Sequence, residues 1–265
     1  MKIFWSFTRQ AFQNTAIYRF DYWLQLISVF LMMYSVHWIW TSLYSQHPAA
    51  FGVNLAQMVT YGILGMALEA ILNPNQGPQT YIATQLKTGG IDTDLAKPLD
   101  FHLHMLAKNC GEILFRLGTL VLPAALIGGA FLGLQLPASP VAAGLFVVSL
   151  ALGYVVLFSL NFLLGMVAII TLDIRSISWA YSSLVRFFSG QMVPLWLFPG
   201  FLGTLANVLP FRSIYAIPIS IYIGKLSGVA ALEALIFQSI WVVALTIGGR
   251  LAWTGVYTRL VVQGG

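Results

Sequence analysis

Three long windows of the chain carry no Asp, Glu, Lys or Arg: 22–68, 117–172 and 187–211. Their apolar residues run continuously and do not alternate with polar ones, which favours α-helices over the strands of a membrane barrel. A helix that crosses a bilayer needs about 20 apolar residues, so each window is long enough for one or two crossings. Backbone N–H and C=O groups in lipid must form their hydrogen bonds within the protein, and an α-helix satisfies this requirement. The pattern predicts an all-α integral membrane protein.

The apolar runs predict six transmembrane helices and one shorter amphipathic helix. The spans are expected at about residues 22–44, 55–73, 111–134, 141–172, 177–195 and 228–254. Residues 1–20 combine apolar side chains such as Phe4 and Phe7 with basic ones such as Arg9, a pattern typical of a helix lying in the membrane interface. An ordinary frayed start to the first span is the alternative.

Residues 194–226 are apolar but interrupted by Pro194, Pro199, Pro210 and Pro218. Proline has no backbone N–H and breaks a helix interior. This stretch therefore predicts re-entrant half-helices between spans five and six, dipping into the membrane from the outer side. The first half of the chain has no matching segment, which weakens a carrier built from paired broken helices.

The most polar part of the chain is predicted to be its largest loop, residues 74–110. Within it, residues 86–109 hold six of the 13 basic and 8 acidic residues. A Gly-Gly pair interrupts the backbone at Gly90, Asp92 or Thr93 caps a short helix, and Pro98 ends that helix. We expect this helix to lie across the membrane face and to contact a soluble partner. A merely solvated loop is the alternative.

Composition agrees with a membrane location and excludes a soluble fold. Only 8% of the residues are charged and 58% are hydrophobic, against about 25% charged residues in an average soluble domain. We therefore treat residues 1–265 as a single transmembrane domain. The single Cys110 cannot form an intrachain disulfide. Most basic residues fall on one side of the membrane if both termini are cytoplasmic, and residues 74–110 are then a cytoplasmic loop.

The sequence has no catalytic motif. The phosphate-binding pattern GxxxxGK[ST] does not occur, and His102 and His104 lack further side chains to complete a metal site. Ionisable residues inside spans are functional candidates. Arg186, in the fifth predicted span, must face protein or water, whereas Glu112 and Arg116, four residues apart on one helix face, are expected to pair.

Two stretches resemble the integral membrane permeases of type-2 ABC (ATP-binding-cassette) exporters, in the six-span branch often encoded as paired permeases beside one ATPase. The stretch "LKTGGIDTDLAKPLDFHLHMLAKN" is similar to the family's cytoplasmic loop, and "FFSGQMVPLWLFPGFLGTLANVLPF" is similar to its region after the fifth span. In the first stretch the matching residues, with the adjacent Leu99, are Leu86, Gly90, Ile91, Asp92, Leu95, Lys97 and Pro98. In the second they include Ser189, Gly190, Pro194, Phe198 and Pro199. The basic, Gly-ended C-terminal tail adds to the likeness.

This resemblance implies the transmembrane subunit of an ATP-driven exporter in the cell's inner (plasma) membrane, with no catalytic residue and no cofactor of its own. Residues 86–99 would couple to two copies of a separate ATPase, which binds ATP and Mg. Arg186 and the second stretch would line the translocation path or contact a second permease, identical or related. Membrane lipids are expected partners and nucleic acid is not.

The aromatic residues along the expected path suit a lipid-like or amphipathic cargo. The alternative function is a self-contained ion-coupled carrier or channel, which requires carboxylates near the membrane midplane. Glu69 and Glu233 fall near the ends of predicted spans, which argues against it. An intramembrane enzyme would need a cluster of reactive residues, and none is visible.

Overall fold

The computed structural model describes residues 2–15, 19–46, 51–91, 100–171 and 174–263, and these residues are helical throughout apart from turns and short connections. The α-helices, numbered in chain order, are α1 (Lys2–Thr15), α2 (Arg19–Gln46), α3 (Leu55–Leu72), α4 (Pro78–Thr88), α5 (Phe101–Arg116), α6 (Leu122–Phe131), α7 (Pro140–Thr171), α8 (Arg175–Phe188), α9 (Gly200–Val208), α10 (Ala216–Tyr222) and α11 (Gly228–Gln263). The all-α class is therefore confirmed.

Within these described ranges, five helical stretches are long and apolar enough to cross a membrane: Trp23–Gln46, Leu55–Leu72, Phe101–Phe131, Pro140–Thr171 and Gly228–Val256. They include five of the six predicted spans. Helix α3 is the central one, because 72% of its most apolar window is buried, against 11% for α2. Helix α3 packs against α2 and also contacts α5, α6 and α10, whereas α7 packs against α4, α10 and α11.

The fifth predicted span, 177–195, differs from the observed helix. Helix α8 has 14 residues and is about 21 Å long at about 1.5 Å per residue, whereas the hydrocarbon core is about 30 Å thick. The helix ends at Phe188 because Gly190 turns the chain with a φ of 76°, a left-handed conformation that glycine adopts without steric cost. The six-span count is thus not confirmed.

The third transmembrane stretch begins ten residues earlier than predicted. The carboxylate of Asp100 caps α5 by accepting a hydrogen bond from the backbone N–H of Leu103 at 3.2 Å. The polar residues after it suggested a loop, yet His102 and His104 are buried. Residues Leu117–Val121 form a π-helix that joins α5 to α6, next to Pro123, which cannot donate to the preceding turn.

Most of the described part of the predicted 74–110 loop is helical. Helix α4 begins with Pro78 at its first position and ends at Thr88. Gly89 follows with a φ of 72°, and the N–H of Gly90 donates to the carbonyl of Gln85 at 2.9 Å, so the predicted Gly-Gly break is confirmed. The predicted short helix after it, with Asp92 or Thr93 as its cap, lies outside the described residues.

The predicted N-terminal helix of residues 1–20 is observed as α1, which packs along α5. The buried hydroxyl of Thr8 donates to the carbonyl of Ala107 at 3.0 Å. The ring of Phe7 meets that of His104 edge-on, with 4.6 Å between centroids. Arg9 and Gln10 are exposed, whereas Phe7 and Thr8 pack against α5, so the helix is amphipathic as its sequence indicated.

The segment 194–226 consists of short helical pieces, as its prolines indicated. They are Leu195–Leu197, α9, Pro210–Ser213 and α10. Each proline lies just before a piece or within its first turn, where a missing N–H has no intrahelical partner to lose. Gln238 of α11 fastens this segment by donating to the carbonyl of Ser213 at 2.8 Å and to that of Ser149 at 3.0 Å. Whether the pieces enter the membrane from one side stays a prediction.

Candidate functional site

The candidate site is a polar cluster between α3 and the end of α8. Arg186 donates from Nη2 to Oε1 of Glu69 at 2.6 Å, and the side chain of Gln191 donates to Oε2 of the same carboxylate. The side chains of Arg186 and Glu69 keep 38% and 18% of their surface exposed, whereas Gln191 is buried. Two opposite charges and an amide are thus joined within an otherwise apolar region.

The turn after α8 is fixed directly against α3. The hydroxyl of Tyr61 donates to the carbonyl of Gly190 at 2.6 Å. The carbonyl of Ser189 accepts from the N–H of Ala216 at 2.9 Å. A Cβ on Gly190 would lie 2.9 Å from the Tyr61 hydroxyl, so both the left-handed backbone and the available space require glycine here.

Helix α3 carries a second glycine at the same contact. A Cβ on Gly65 would lie 2.4 Å from the backbone carbonyl oxygen of Gln191, closer than real side-chain contacts allow. Gly65 therefore lets the chain pass close enough to α3 for the Gln191 side chain to reach Glu69. The neighbour that this glycine admits is thus the backbone of the turn after α8.

The remaining predicted path residues follow this turn. Pro194 is buried and Pro199 is exposed. The half-buried ring of Phe198 lies 4.9 Å from that of Phe187, centroid to centroid. Trp196, which lies between the two prolines in the sequence, packs edge-on against Tyr61 with 5.2 Å between the ring centroids. The structure therefore brings Arg186, Ser189, Gly190, Pro194 and Phe198 to one side of the molecule, around the N-terminal half of the 194–226 segment and the facing surface of α3.

The predicted coupling residues lie elsewhere, after the end of α4. Leu86 is half-buried, and it packs against an apolar cluster that includes Ile82 and Phe162. Ile91 is only 7% exposed, so its side chain is buried in the protein instead of pointing outward. The other members of this set, Asp92, Leu95, Lys97, Pro98 and Leu99, lie outside the described residues.

Two polar cavities flank α4 near this segment. One of about 360 Å³ lies between α4 and α5 and is lined by Tyr81, Lys108, Glu112 and Arg116 among others. The other, of about 510 Å³, lies between α4 and the start of α8. Arg116 donates to the side chain of Gln76 and, at 3.4 Å, to the carbonyl of Ala70. The hydrogen bonds of Arg116 thus go to these acceptors, while Glu112, one turn earlier on α5, acts on it through the attraction of their opposite charges.

The sequence of the chain matches a known protein family. The family model for ABC-2 family transporter proteins matches residues 20–264, almost the whole chain. The chain belongs to the ABC-2 transporter family. No curated protein matches the chain. An ABC-2 permease is the membrane subunit of a transporter and is not itself catalytic, and its members generally work with ABC ATPases. Among the described residues of this permease, no group of three or more His, Cys, Asp or Glu side chains is arranged to hold a metal.

Sequence reasoning treated Arg186 alone and missed its partner Glu69, whose carboxylate also accepts from Gln191. The missing information was tertiary, because Glu69 precedes Arg186 by 117 residues. One signal was available: both residues are isolated ionisable groups in apolar stretches, and their charges are opposite. Charges in a membrane are expected to pair.

Proposed function

We propose that this ABC-2 permease is the transmembrane half of an ATP-driven exporter. Two permease chains, identical or related, pair to enclose the translocation path. Two copies of a separate ATPase bind ATP and Mg and hydrolyse the ATP. The observation that carries the proposal is the family match over residues 20–264. The sequence adds support, because it contains no phosphate-binding motif with which to hydrolyse ATP itself.

The coupling contact is assigned to residues 86–99. Helix α4 holds Leu86 against the transmembrane core, and Ile91 is buried. A movement of the ATPase against the stretch that follows Ile91 is therefore transmitted to the transmembrane helices. Asp92 and Lys97 provide charges that set the register of the ATPase, and Leu95 provides an apolar contact.

The path or the contact between permeases is assigned to the side of α8 that carries Arg186. A guanidinium with 38% of its surface exposed is costly to place against hydrocarbon, so this side faces protein or water. Ser176 and Ser183 are exposed on the same helix and favour the same placement. The protein is assigned to the inner membrane. Both of its termini are assigned to the cytoplasm, following the distribution of basic residues.

The cargo is proposed to be lipid-like or amphipathic, because exposed aromatic side chains such as Trp179 and Phe187 border this side of α8. An ion-coupled carrier is less consistent with the structure. Such a carrier needs a carboxylate that is free to exchange its ion, whereas Glu69 is held by both Arg186 and Gln191.

Affinity purification from the native membrane in mild detergent tests the proposal. The wild-type chain is expected to retain an ABC ATPase, and a double variant with Asp92→Lys and Leu95→Asp is expected to lose it. Glu233→Lys, an exposed charge reversal at the start of α11, is the matched control and keeps the ATPase. If the wild type retains no ATPase in any mild detergent, the proposal is wrong. If all variants retain it equally, the coupling contact lies outside residues 92–95.

A further inference from the structure

An apolar cavity of about 330 Å³ lies between α1, α5 and α7, and its lining includes no member of the Glu69–Arg186–Gln191 cluster. Its walls are built mainly by side chains of α1, α5 and α7, including Trp5, Ile113, Leu114, Leu117, Leu150 and Ala151. The end of α3 closes it with Leu72. The cavity is open on one side, so a molecule of matching chemistry can enter it from the surroundings.

The few polar atoms near this cavity are already bonded within the protein. The Thr8 hydroxyl donates to the carbonyl of Ala107 at 3.0 Å. The Tyr154 hydroxyl donates to Oδ1 of Asn109 at 3.2 Å. A water molecule needs two to four polar partners, and these walls do not supply them. The chemistry of the walls matches a hydrocarbon.

The cavity is continuous with the surface that faces lipid. Leu114 and Val147 line it and belong to two of the candidate spans, where they are 46% and 63% exposed. Trp5 lines it from the amphipathic helix α1 and is 60% exposed. Tryptophan is enriched where the headgroups meet the hydrocarbon. The cavity therefore opens to the acyl chains of the bilayer, with an interfacial side chain at its edge.

The backbone is also unusual at this place. Leu117, one of the wall residues, begins the π-helix of Leu117–Val121. A π-helical turn is wider than an α-helical turn and occurs frequently at functional sites. In this protein the π-helix follows α5 directly and lies beside the cavity.

We propose that this cavity binds one acyl chain of a phospholipid from the surrounding bilayer. The bound chain contacts α1 through Trp5 and α7 through Leu150 and Ala151, and so fastens the N-terminal helix to the transmembrane bundle. This site is independent of the ATPase contact and of the cargo path.

Photo-crosslinking tests the proposal. The full-length permease, purified with its partners, is placed in nanodiscs containing a phosphatidylethanolamine with a diazirine in mid-chain, and labelled peptides are identified by mass spectrometry. We expect enrichment at Ile113, Leu114 and Leu150. Ala151→Trp fills the cavity from an exposed position and is expected to lower this labelling about tenfold. Val148→Trp, on the same helix but outside the cavity lining, should leave it unchanged.

The single cysteine gives a second, independent measurement. Cys110 lines the cavity and is the only cysteine in the chain. Alkylation with a bulky maleimide should block lipid labelling in the wild type, and Cys110→Ala should be labelled whether or not it has been treated. Elution of each variant as a folded complex in size-exclusion chromatography excludes misfolding.

Two outcomes would overturn the proposal. In one, labelling is spread evenly over all lipid-facing positions and neither Ala151→Trp nor alkylation changes it. In the other, a bifunctional thiol reagent links Cys110 of two copies in place of lipid labelling, so that a second permease occupies the cavity.

Discussion

The ion pair between Glu69 and Arg186 offers the sharpest test of the site. We consider Glu69→Gln, Arg186→Gln and the double variant, which together form a double-mutant cycle. Two unit charges 2.6 Å apart attract each other by about 6 kcal/mol at an effective dielectric constant of about 20. Desolvation offsets most of this attraction, and coupling energies between contacting residues are about 0.5–3 kcal/mol. We expect a coupling energy of about 2 kcal/mol.

The single variants should differ in size. Arg186→Gln leaves the Glu69 carboxylate, with 18% exposure, bonded to Gln191 alone, so we expect a loss of about 3 kcal/mol in the free energy of unfolding. Glu69→Gln leaves the more exposed guanidinium, so we expect a loss of about 2 kcal/mol. The double variant carries two neutral amides and should lose about 3 kcal/mol, less than the sum of the two.

Equilibrium unfolding by sodium dodecyl sulfate in mixed micelles, followed by circular dichroism, measures these free energies. Glu233→Gln removes an exposed carboxylate near the start of α11 and is the matched control, expected to change stability by less than about 0.5 kcal/mol. The reasoning fails if the two single losses add to within about 0.5 kcal/mol in the double variant, because the charges are then not coupled in the membrane protein.

Further predictions use the same unfolding assay. Gly65→Ala places a Cβ 2.4 Å from the carbonyl oxygen of Gln191 and should lower stability by about 1–3 kcal/mol; Gly129→Ala, with open space around it, should not lower it, and equal effects would contradict the close approach. Gln238→Leu removes the buried hydrogen bonds that Gln238 makes to the carbonyls of Ser213 and Ser149 and to the Ser149 hydroxyl, and it should lower stability by about 1–3 kcal/mol. Ser239→Ala, on the exposed side of the same helix, should change it by less than about 0.5 kcal/mol, and a neutral Gln238→Leu would count against this anchor.

Local features of the sequence predicted most of the helices. The charge-free windows identified α2, α3 and α7 with bounds within a few residues of those observed, because hydrophobicity and length are properties of each segment alone. The prolines of the 194–226 segment likewise predicted short helices, since a proline restricts its own backbone. The Gly-Gly break after α4 was predicted for the same kind of reason.

Predictions that depended on distant contacts were less successful. The start of α5 was placed ten residues late, because the burial of His102 and His104 depends on packing against α7 and α1. The pairing of Glu112 with Arg116 was expected from helical spacing alone, but Gln76 and a carbonyl of α3 lie closer to the guanidinium. Spacing along one helix does not reveal what the neighbouring helices offer.

The candidate site shows the same division. The sequence by itself determined that this chain is an all-α membrane protein of the ABC-2 permease type, because apolar windows and short motifs are written locally. It also selected Arg186 as a charge that must face protein or water. Only the tertiary structure decided that Arg186 pairs with Glu69, and that Gly65 and Gly190 permit the contact. The physical reason is distance along the chain: these residues meet only after α3 and α8 have packed, and no local pattern specifies which helices pack together.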